Sequence, residues 1–231
     1  PGVGTASSPA TAKNSVTVGS HLNRGGGSPD TISQSSSRGP TDDNRIKPDV
    51  IAPGAYVRSC LSQDATDTSG GTVQTGGWYI EYSGTSMATP NAAGSAALIR
   101  EYILEIAQRP APQGALVKAL LVLGARDLGN RDIPNNDEGW GRIDLQNTLA
   151  PSDRGIWVDD RSVLSGTGNV KTYTFNVTTS GQPFKAVLCW SDERGSRFST
   201  NQLVNDLNLE IETPSGTLYR GNQFSQGRSI E

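Results

Sequence analysis

The chain has 231 residues, and 20 Lys and Arg against 23 Asp and Glu give a formal net charge of −3. A charge this close to zero excludes a strongly basic nucleic-acid-binding protein and gives no reason to expect an anionic membrane surface as partner. Apolar residues are 34%, with 27 Gly and 13 Pro, which is typical of a loop-rich soluble protein. No apolar run reaches the roughly 18 residues that a membrane span needs.

The first 82 residues alternate between short predicted strands and loops. β-Branched or apolar runs predict strands at residues 15–19 and 48–54, and aromatic residues predict a third at residues 78–82. Residues 62–77 have the composition of a polar surface excursion. His21 is the single histidine and follows the first strand beside a Gly-rich loop, so we expect it at the surface.

Two helices are predicted next. Residues 86–107 carry small and apolar side chains on all sides, which indicates a helix buried by close neighbours, with Pro90 confined to its first turn. Residues 113–123 place Leu116 and Leu120 on one apolar face, and Gly124 is a typical residue to follow a helix. Residues 127–147 are expected to be a loop.

Beyond Pro151 the pattern becomes all-β. Period-2 alternation or apolar runs predict strands at residues 171–177, 186–190, 207–211 and 217–219. This spacing predicts an antiparallel β-sandwich over residues 151–231, after an α/β domain over residues 1–150. A typical sandwich uses about 100 residues, so the second domain is expected to be short of complete.

The two cysteines carry no zinc pattern. Cys60 and Cys189 lie far apart, there is no CxxC, and one histidine is too few for a Cys₂His₂ set, so no zinc site is predicted. One disulfide or two unpaired thiols both remain open.

The motif with chemistry in it is residues 83–90, SGTSMATP, which ends a loop and opens the first helix. A serine at a helix N-terminus lies beside unpaired N–H groups at the positive end of the helix dipole, where a developing oxyanion is stabilised. Gly84 allows close approach of a substrate. Ser86 is therefore a candidate nucleophile, and the alternative is that Ser86 only caps the helix.

Two other serine-hydrolase classes do not fit. The α/β-hydrolase elbow needs a histidine after its serine, and no histidine follows His21. The S-x-x-K pattern of β-lactamases fails because residue 89 is Thr. A base for Ser86 must therefore come from upstream.

Residues 84–90 resemble the nucleophile signature of the subtilisin-like serine proteases, the subtilases. Residues 8–19, residues 36–40 with 46–54, and residues 139–143 resemble further blocks of that family. Residues 190–192 and 203–209 resemble the C-terminal domain of its oxidatively stable alkaline proteases. The resemblance covers nearly the whole chain. It implies the C-terminal half of a subtilisin-like parallel-sheet domain followed by an antiparallel, jelly-roll-like β-sandwich.

The resemblance also implies an activity, that of a secreted endopeptidase that cleaves protein or peptide substrates through an acyl-enzyme on Ser86. Gly84 and Thr85 are then substrate-binding residues, and Ser7 and Ser8 belong to the wall of the main specificity pocket. The family order is Asp, His, Ser, with an oxyanion Asn between His and Ser. His21 does not fit the base, because it lies too close to Ser86 and lacks the His-Gly-Thr context of the family.

The Asp, the His and the oxyanion Asn are accordingly expected in a segment upstream of Pro1, so this chain alone is expected to be poorly stable and nearly inactive. No cofactor is required for the chemistry. Calcium is common in the family, and the candidate ligands are Asp137, Asp192, Asn205 and Asp206. The alternative is a non-catalytic fragment or a pseudoenzyme whose β-sandwich is a stabilising or binding module.

Overall fold

The computed structural model describes residues 4–23, 28–129, 132–149, 161, 164–178, 181 and 184–221. Its centre is a parallel pair of strands, β1 (Val18–Leu22) and β2 (Val50–Ala55). Val18 lies opposite Val50 and Leu22 lies opposite Ala55, and both strands are largely buried. A short segment adds to this pair, because Ile51 donates to the Gly141 carbonyl and accepts from the Ile143 amide, each at 3.0 Å. The predicted α/β character of the N-terminal part of the chain is confirmed.

Between β2 and the first helix the chain forms an antiparallel hairpin sheet. Its strands are β3 (Val57–Cys60), β4 (Thr72–Val73) and β5 (Tyr79–Tyr82), with β5 in the middle. The predicted strand at residues 78–82 is thus present, and two strands of this sheet were not predicted. The last residue of β5 is followed directly by residues 83–86, the SGTS segment. The end of this sheet therefore lies next to Ser86 in the chain.

Within the described residues, three helices pack on the core. They are α1 (Thr85–Glu105), α2 (Gly114–Gly124) and α3 (Leu145–Leu149). The first two match the prediction within two residues at each end, and the third was predicted as loop. One apolar cluster joins α1 to α2 and consists of Ile99, Ile103, Leu116, Leu120 and Leu121. Burying one such side chain stabilises the fold by about 1.5–3 kcal/mol.

Two expectations for α1 are wrong. Only Ala88, Ala92, Ile99 and Ile103 are buried, whereas Ala93, Ala97 and Leu98 are exposed on another side. The helix is therefore covered on one face only, by the β1–β2 pair, α2 and α3. Pro90 is the sixth residue of the helix and lies beyond the first turn, because α1 begins at Thr85.

A buried carboxylate holds the start of the sheet together. Asp49 accepts from the Thr17 amide at 2.6 Å and pairs with the ammonium groups of Lys47 and Lys118, each at 2.8 Å. Its own carbonyl accepts from the Trp140 amide at 2.9 Å. The Asp49 side chain thereby joins the starts of β1 and β2 to α2. The Asp49 backbone connects the segment at residues 139–143 to the same point.

The C-terminal region has little regular structure among its described residues. A single antiparallel pair, β6 (Glu210–Glu212) with β7 (Leu218–Arg220), corresponds to two of the predicted strands. Residues 171–177 and 186–190 form irregular backbone, and most of their side chains are exposed. The predicted β-sandwich is not confirmed. Alternation indicates which side chains share a face, but a strand also needs a neighbour for its backbone hydrogen bonds.

A polar network attaches this region to the first domain. The Lys13 ammonium pairs with Asp192 and donates to the Glu193 carbonyl at 2.6 Å and the Gln202 carbonyl at 2.5 Å. Asn14 and Asp192 exchange two hydrogen bonds, each 2.9 Å long. The attachment is therefore specific, although residues 193–205 are mostly exposed.

In the part of the chain that the structure describes, no helix is long and apolar enough to cross a membrane.

Candidate active site

The SGTS segment connects β5 to α1 and is held against the carboxyl end of β2. The Gly84 amide donates to the Gly54 carbonyl at 2.6 Å. The Ser83 Oγ accepts from the Tyr56 amide at 2.8 Å. Gly84 has φ 155° and ψ 165°, a backbone conformation that is essentially restricted to glycine. The sharp change of direction into α1 therefore depends on Gly84 and on the end of β2.

Ser86 is the second residue of α1, and it is exposed. Gly84 is the N-cap and caps without a side-chain hydrogen bond, so the alternative that Ser86 only caps the helix is wrong. The N–H of Ser86 lies in the first turn, where no intrahelical carbonyl is available to it. This places a hydroxyl, a backbone N–H without an intrahelical acceptor and the positive end of a 21-residue helix together. Such a group can attack a carbonyl and stabilise the resulting oxyanion.

Gly54 is where β2 passes closest to this segment. A methyl group added at Gly54 would clash first with the Ser20 Oγ of β1, and would lie 2.7 Å from the Gly84 carbonyl oxygen and 2.9 Å from the Ala88 Cβ. From the sequence, Pro53-Gly54 indicates only the end of a strand. The Pro-Gly pair was a visible signal, but what Gly54 faces is set by the tertiary fold.

We expect Gly54→Ala to lower the free energy of unfolding by about 1–3 kcal/mol, because the added methyl overpacks the contacts with Ser20, Gly84 and Ala88. Urea denaturation followed by tryptophan fluorescence measures this change. Gly114→Ala is the matched control, since a methyl group there meets open space. Equal stability of the two variants would contradict the close approach of β2 to the SGTS segment.

His21 is buried, so its predicted surface position is wrong. It lies in β1 and is 2% exposed, because the segment after Ser28 folds back over it and forms a bridge from His21 to Ile32. Its Nδ1 lies 2.6 Å from the Leu22 carbonyl oxygen, and its Nε2 has no partner among the described residues. No hydrogen bond within the described ranges joins His21 to Ser86. His21 is thus a buried residue of the core.

His21 makes stability depend on pH. Burial, the largest cause, lowers the pKa of His21, and the Arg142 charge lowers it further, while the Leu22 carbonyl and Asp30 oppose this. The unfolded state therefore binds more protons, so stability is full above an unfolded-state pKa of about 6.5 and falls as pH drops below it.

Because His21 is the only histidine, replacing it isolates this effect. We expect thermal unfolding of the natural chain to shift to lower temperature between about pH 7.5 and about pH 5.5. His21→Gln is expected to lose most of that shift. An equal shift in both proteins would show that another group causes it.

The other predicted substrate-binding residues are Thr85, Ser7 and Ser8. The carbonyl of Thr85 accepts from the Thr89 hydroxyl at 2.9 Å, so Thr85 is part of the same first turn as Ser86. Ser7 and Ser8 are exposed in a turn closed by the Ala10 amide, which donates to the Ser7 carbonyl at 2.8 Å. Their assignment to a specificity pocket stays a prediction.

Three of the candidate calcium ligands, Asp192, Asn205 and Asp137, have other partners, and the Asn205 side-chain amide donates to Asp192 at 2.9 Å. Asp192 accepts from Lys13, from the Val204 amide at 2.9 Å and from the Asn205 amide at 3.0 Å. Burial alone would raise the pKa of Asp192, but these hydrogen bonds outweigh it and hold that pKa below its ordinary value. Asp137 pairs with Arg38 at 3.2 Å. Within the described ranges, no group of three or more His, Cys, Asp or Glu residues is placed to hold a metal ion.

The cysteines take no part in this site. Cys60 lies in β3 and carries an exposed free thiol, so no disulfide joins it to the half-buried Cys189.

Comparison with known proteins identifies a family for this geometry. A family model described as the subtilase family matches residues 1–141. Serine protease AprX of Bacillus subtilis is 35% identical over 148 residues, which cover 63% of this chain and 32% of AprX. Serine protease/ABC transporter B family protein tagD of Dictyostelium discoideum is 27% identical and covers 81% of this chain but 13% of that protein.

A solved structure agrees. The Clostridium perfringens CspB protease aligns with a TM-score of 0.52 at 30% identity, over 64% of this chain and 28% of that one. The chain thus spans about a third or less of the length of these three relatives.

Proposed function

The chain belongs to the subtilase family, and from that membership we propose that it is the portion of a serine endopeptidase that carries the nucleophile, Ser86. The observation that carries the proposal is the position of Ser86, which is exposed in the first turn of a long helix. That helix begins directly after Gly84, whose backbone conformation is readily adopted only by glycine. The substrate is a protein or peptide chain, and the site of action is extracellular.

The chemistry follows from that position. The Ser86 Oγ attacks the scissile carbonyl carbon and gives its proton to a base, and the Ser86 N–H stabilises the oxyanion that forms. The amine departs with a proton as the C–N bond breaks, and water then cleaves the acyl-enzyme. These steps need no cofactor.

We propose that the base, its Asp partner and the oxyanion Asn are supplied from sequence upstream of this chain. The supporting observation is that the single histidine, His21, is buried against the Leu22 carbonyl. A serine hydroxyl without a base within hydrogen-bond reach is a weak nucleophile. The chain on its own is therefore expected to hydrolyse peptides only at the residual level that binding and one oxyanion donor support.

The proposal is tested by hydrolysis of fluorescein-labelled casein by the complete gene product. Release of labelled peptides, abolished by pretreatment with phenylmethylsulfonyl fluoride, is expected. This chain is expected to be inactive alone and to regain activity when mixed with a separately produced upstream segment. Absence of hydrolysis by a folded complete protein would overturn the proposal and favour the pseudoenzyme or binding-module alternative.

A further inference from the structure

The first turn of α1 is weakly held by the helix itself. Pro90 has no N–H, so the Ser86 carbonyl lacks the hydrogen bond that residue 90 would donate in an uninterrupted helix. The pyrrolidine ring also crowds that same carbonyl. The turn that carries the nucleophile therefore needs support from outside the helix.

That support comes from the end of β2 and reaches the first turn from both sides. Before Ser86, the Gly84 amide and the Ser83 hydroxyl bind Gly54 and Tyr56. After Ser86, the Asn91 Nδ2 donates to the Pro53 carbonyl at 3.1 Å and to the Met87 carbonyl at 2.9 Å. Asn91 thus uses both protons of one amide group to join the residue next to Ser86 to the strand.

We propose that Asn91 is a positioning residue for Ser86, an inference that rests on the function proposed above. Asparagine has poor helix propensity, and Asn91 lies well inside a 21-residue helix. Its two hydrogen bonds explain its presence there, because they replace the restraint that Pro90 removes. The side chain acts by holding the Ser86 Oγ and N–H at a fixed distance from the upstream base and from the substrate carbonyl.

A positioning residue affects the reaction differently from a substrate-binding one. Asn91 binds Pro53 and Met87, so removing its donor should leave substrate affinity nearly unchanged. A displacement of about 1 Å at a reacting group can lower the rate by about 100-fold. The effect should therefore appear in kcat.

The test uses the complete protein with the substitution Asn91→Asp, which keeps the size of the side chain but replaces the donor by an acceptor that repels both carbonyls. Kinetics on a fluorogenic peptide are expressed per active site titrated with a fluorophosphonate, so that unfolded molecules do not count. We expect kcat to fall about 10- to 100-fold, with KM changed less than about 3-fold. Asn91→Gln, which keeps the donor, is expected to recover part of kcat. Ser95→Ala is the control, because the Ser95 hydroxyl donates only within the helix, to the Asn91 carbonyl.

Two outcomes overturn the inference and are distinguishable. If the unsubstituted protein hydrolyses the peptide and Asn91→Asp keeps the same kcat per titrated site, Asn91 is a structural residue at most, even if the melting temperature falls. If the unsubstituted folded protein neither hydrolyses the peptide nor reacts with the fluorophosphonate, the proposed function fails and the positioning role fails with it.

Discussion

Replacing Ser86 by alanine in the complete protein is expected to lower kcat/KM for peptide hydrolysis by at least about 10⁴-fold. The reason is chemical, since the hydroxyl is the atom that forms the acyl-enzyme, and its loss leaves only binding and oxyanion stabilisation. The fold should be unaffected, because Ser86 is exposed at the start of α1. Steady-state kinetics together with a thermal unfolding curve measures both parts of this expectation.

Ser95→Ala serves as control for Ser86→Ala as well. It removes a hydroxyl from the same helix, more than two turns further along, and is expected to keep full activity. If Ser86→Ala retains more than about a tenth of the hydrolytic activity while Ser95→Ala loses that activity, the nucleophile is another residue of this helix and not Ser86.

The largest expected loss of stability follows from Asp49→Asn. Lys47 and Asp49 are 2% and 3% exposed, so the substitution leaves a buried ammonium without its countercharge. Burial already lowers the pKa of Lys47, and the Asp49 charge is the main influence against it. Breaking such a buried pair costs about 3–5 kcal/mol. Urea denaturation of the complete protein measures the change.

A double substitution and an exposed pair make this test specific. Lys47→Met combined with Asp49→Asn is expected to be less destabilised than Asp49→Asn alone, because the fully buried Lys47 ammonium is removed. The Lys118 ammonium also loses Asp49, but it is partly exposed and still donates to the Lys13 and Ser15 carbonyls. Arg58→Ala breaks a 3.9 Å pair with Glu81 in which the arginine is largely exposed, and should cost less than about 1 kcal/mol. A loss below about 1 kcal/mol for Asp49→Asn would contradict the role of Asp49 as the buried link between β1, β2 and α2.

The sequence predicted the positions of α1 and α2 well, including the start of the helix that carries Ser86. The change from Gly84 to an Ala-rich run located the start of α1 within one residue, and the apolar spacing of Leu116 and Leu120 located α2. Both signals are local, since helix periodicity and helix ends depend on residues within a few positions. The short helix α3 also has a local signal in the sequence, which is Asp144 directly before its first residue. The Asp144 side chain accepts from the Asn147 amide at 3.1 Å, as the capping residue of a helix does.

The contacts around the site could not be predicted, because they join distant parts of the chain. Asn91 meets Pro53 and Gly84 meets Gly54 only once β2 and α1 are packed together. His21 illustrates the same limit. Its neighbours suggested a loop, but β1 continues to Leu22, and the segment after Ser28 covers it through Ile32 and Ser33.

The C-terminal region shows what period-2 alternation leaves undecided. Residues 171–177 alternate as cleanly as residues 207–211, yet only the second run enters a strand, which pairs with β7 across the turn at residues 213–217. A tight turn brings a partner strand close, and alternation alone does not. The contacts of Lys13 with Asp192 had no signal in the sequence, since oppositely charged residues nearly 180 positions apart are common in any chain.

The central claim is that Ser86 is a nucleophile whose base lies upstream of this chain. Fluorophosphonate labelling, followed by mass-spectrometric mapping of the modified residue, tests it most directly on this chain and on the complete protein. Labelling of Ser86 in the complete protein but not in this chain is the predicted result, with Ser86→Ala unlabelled. Labelling of Ser86 in this chain when it is produced without the upstream segment would show that a base within the chain reaches the serine. No labelling of a folded complete protein would contradict the assignment of Ser86 as nucleophile.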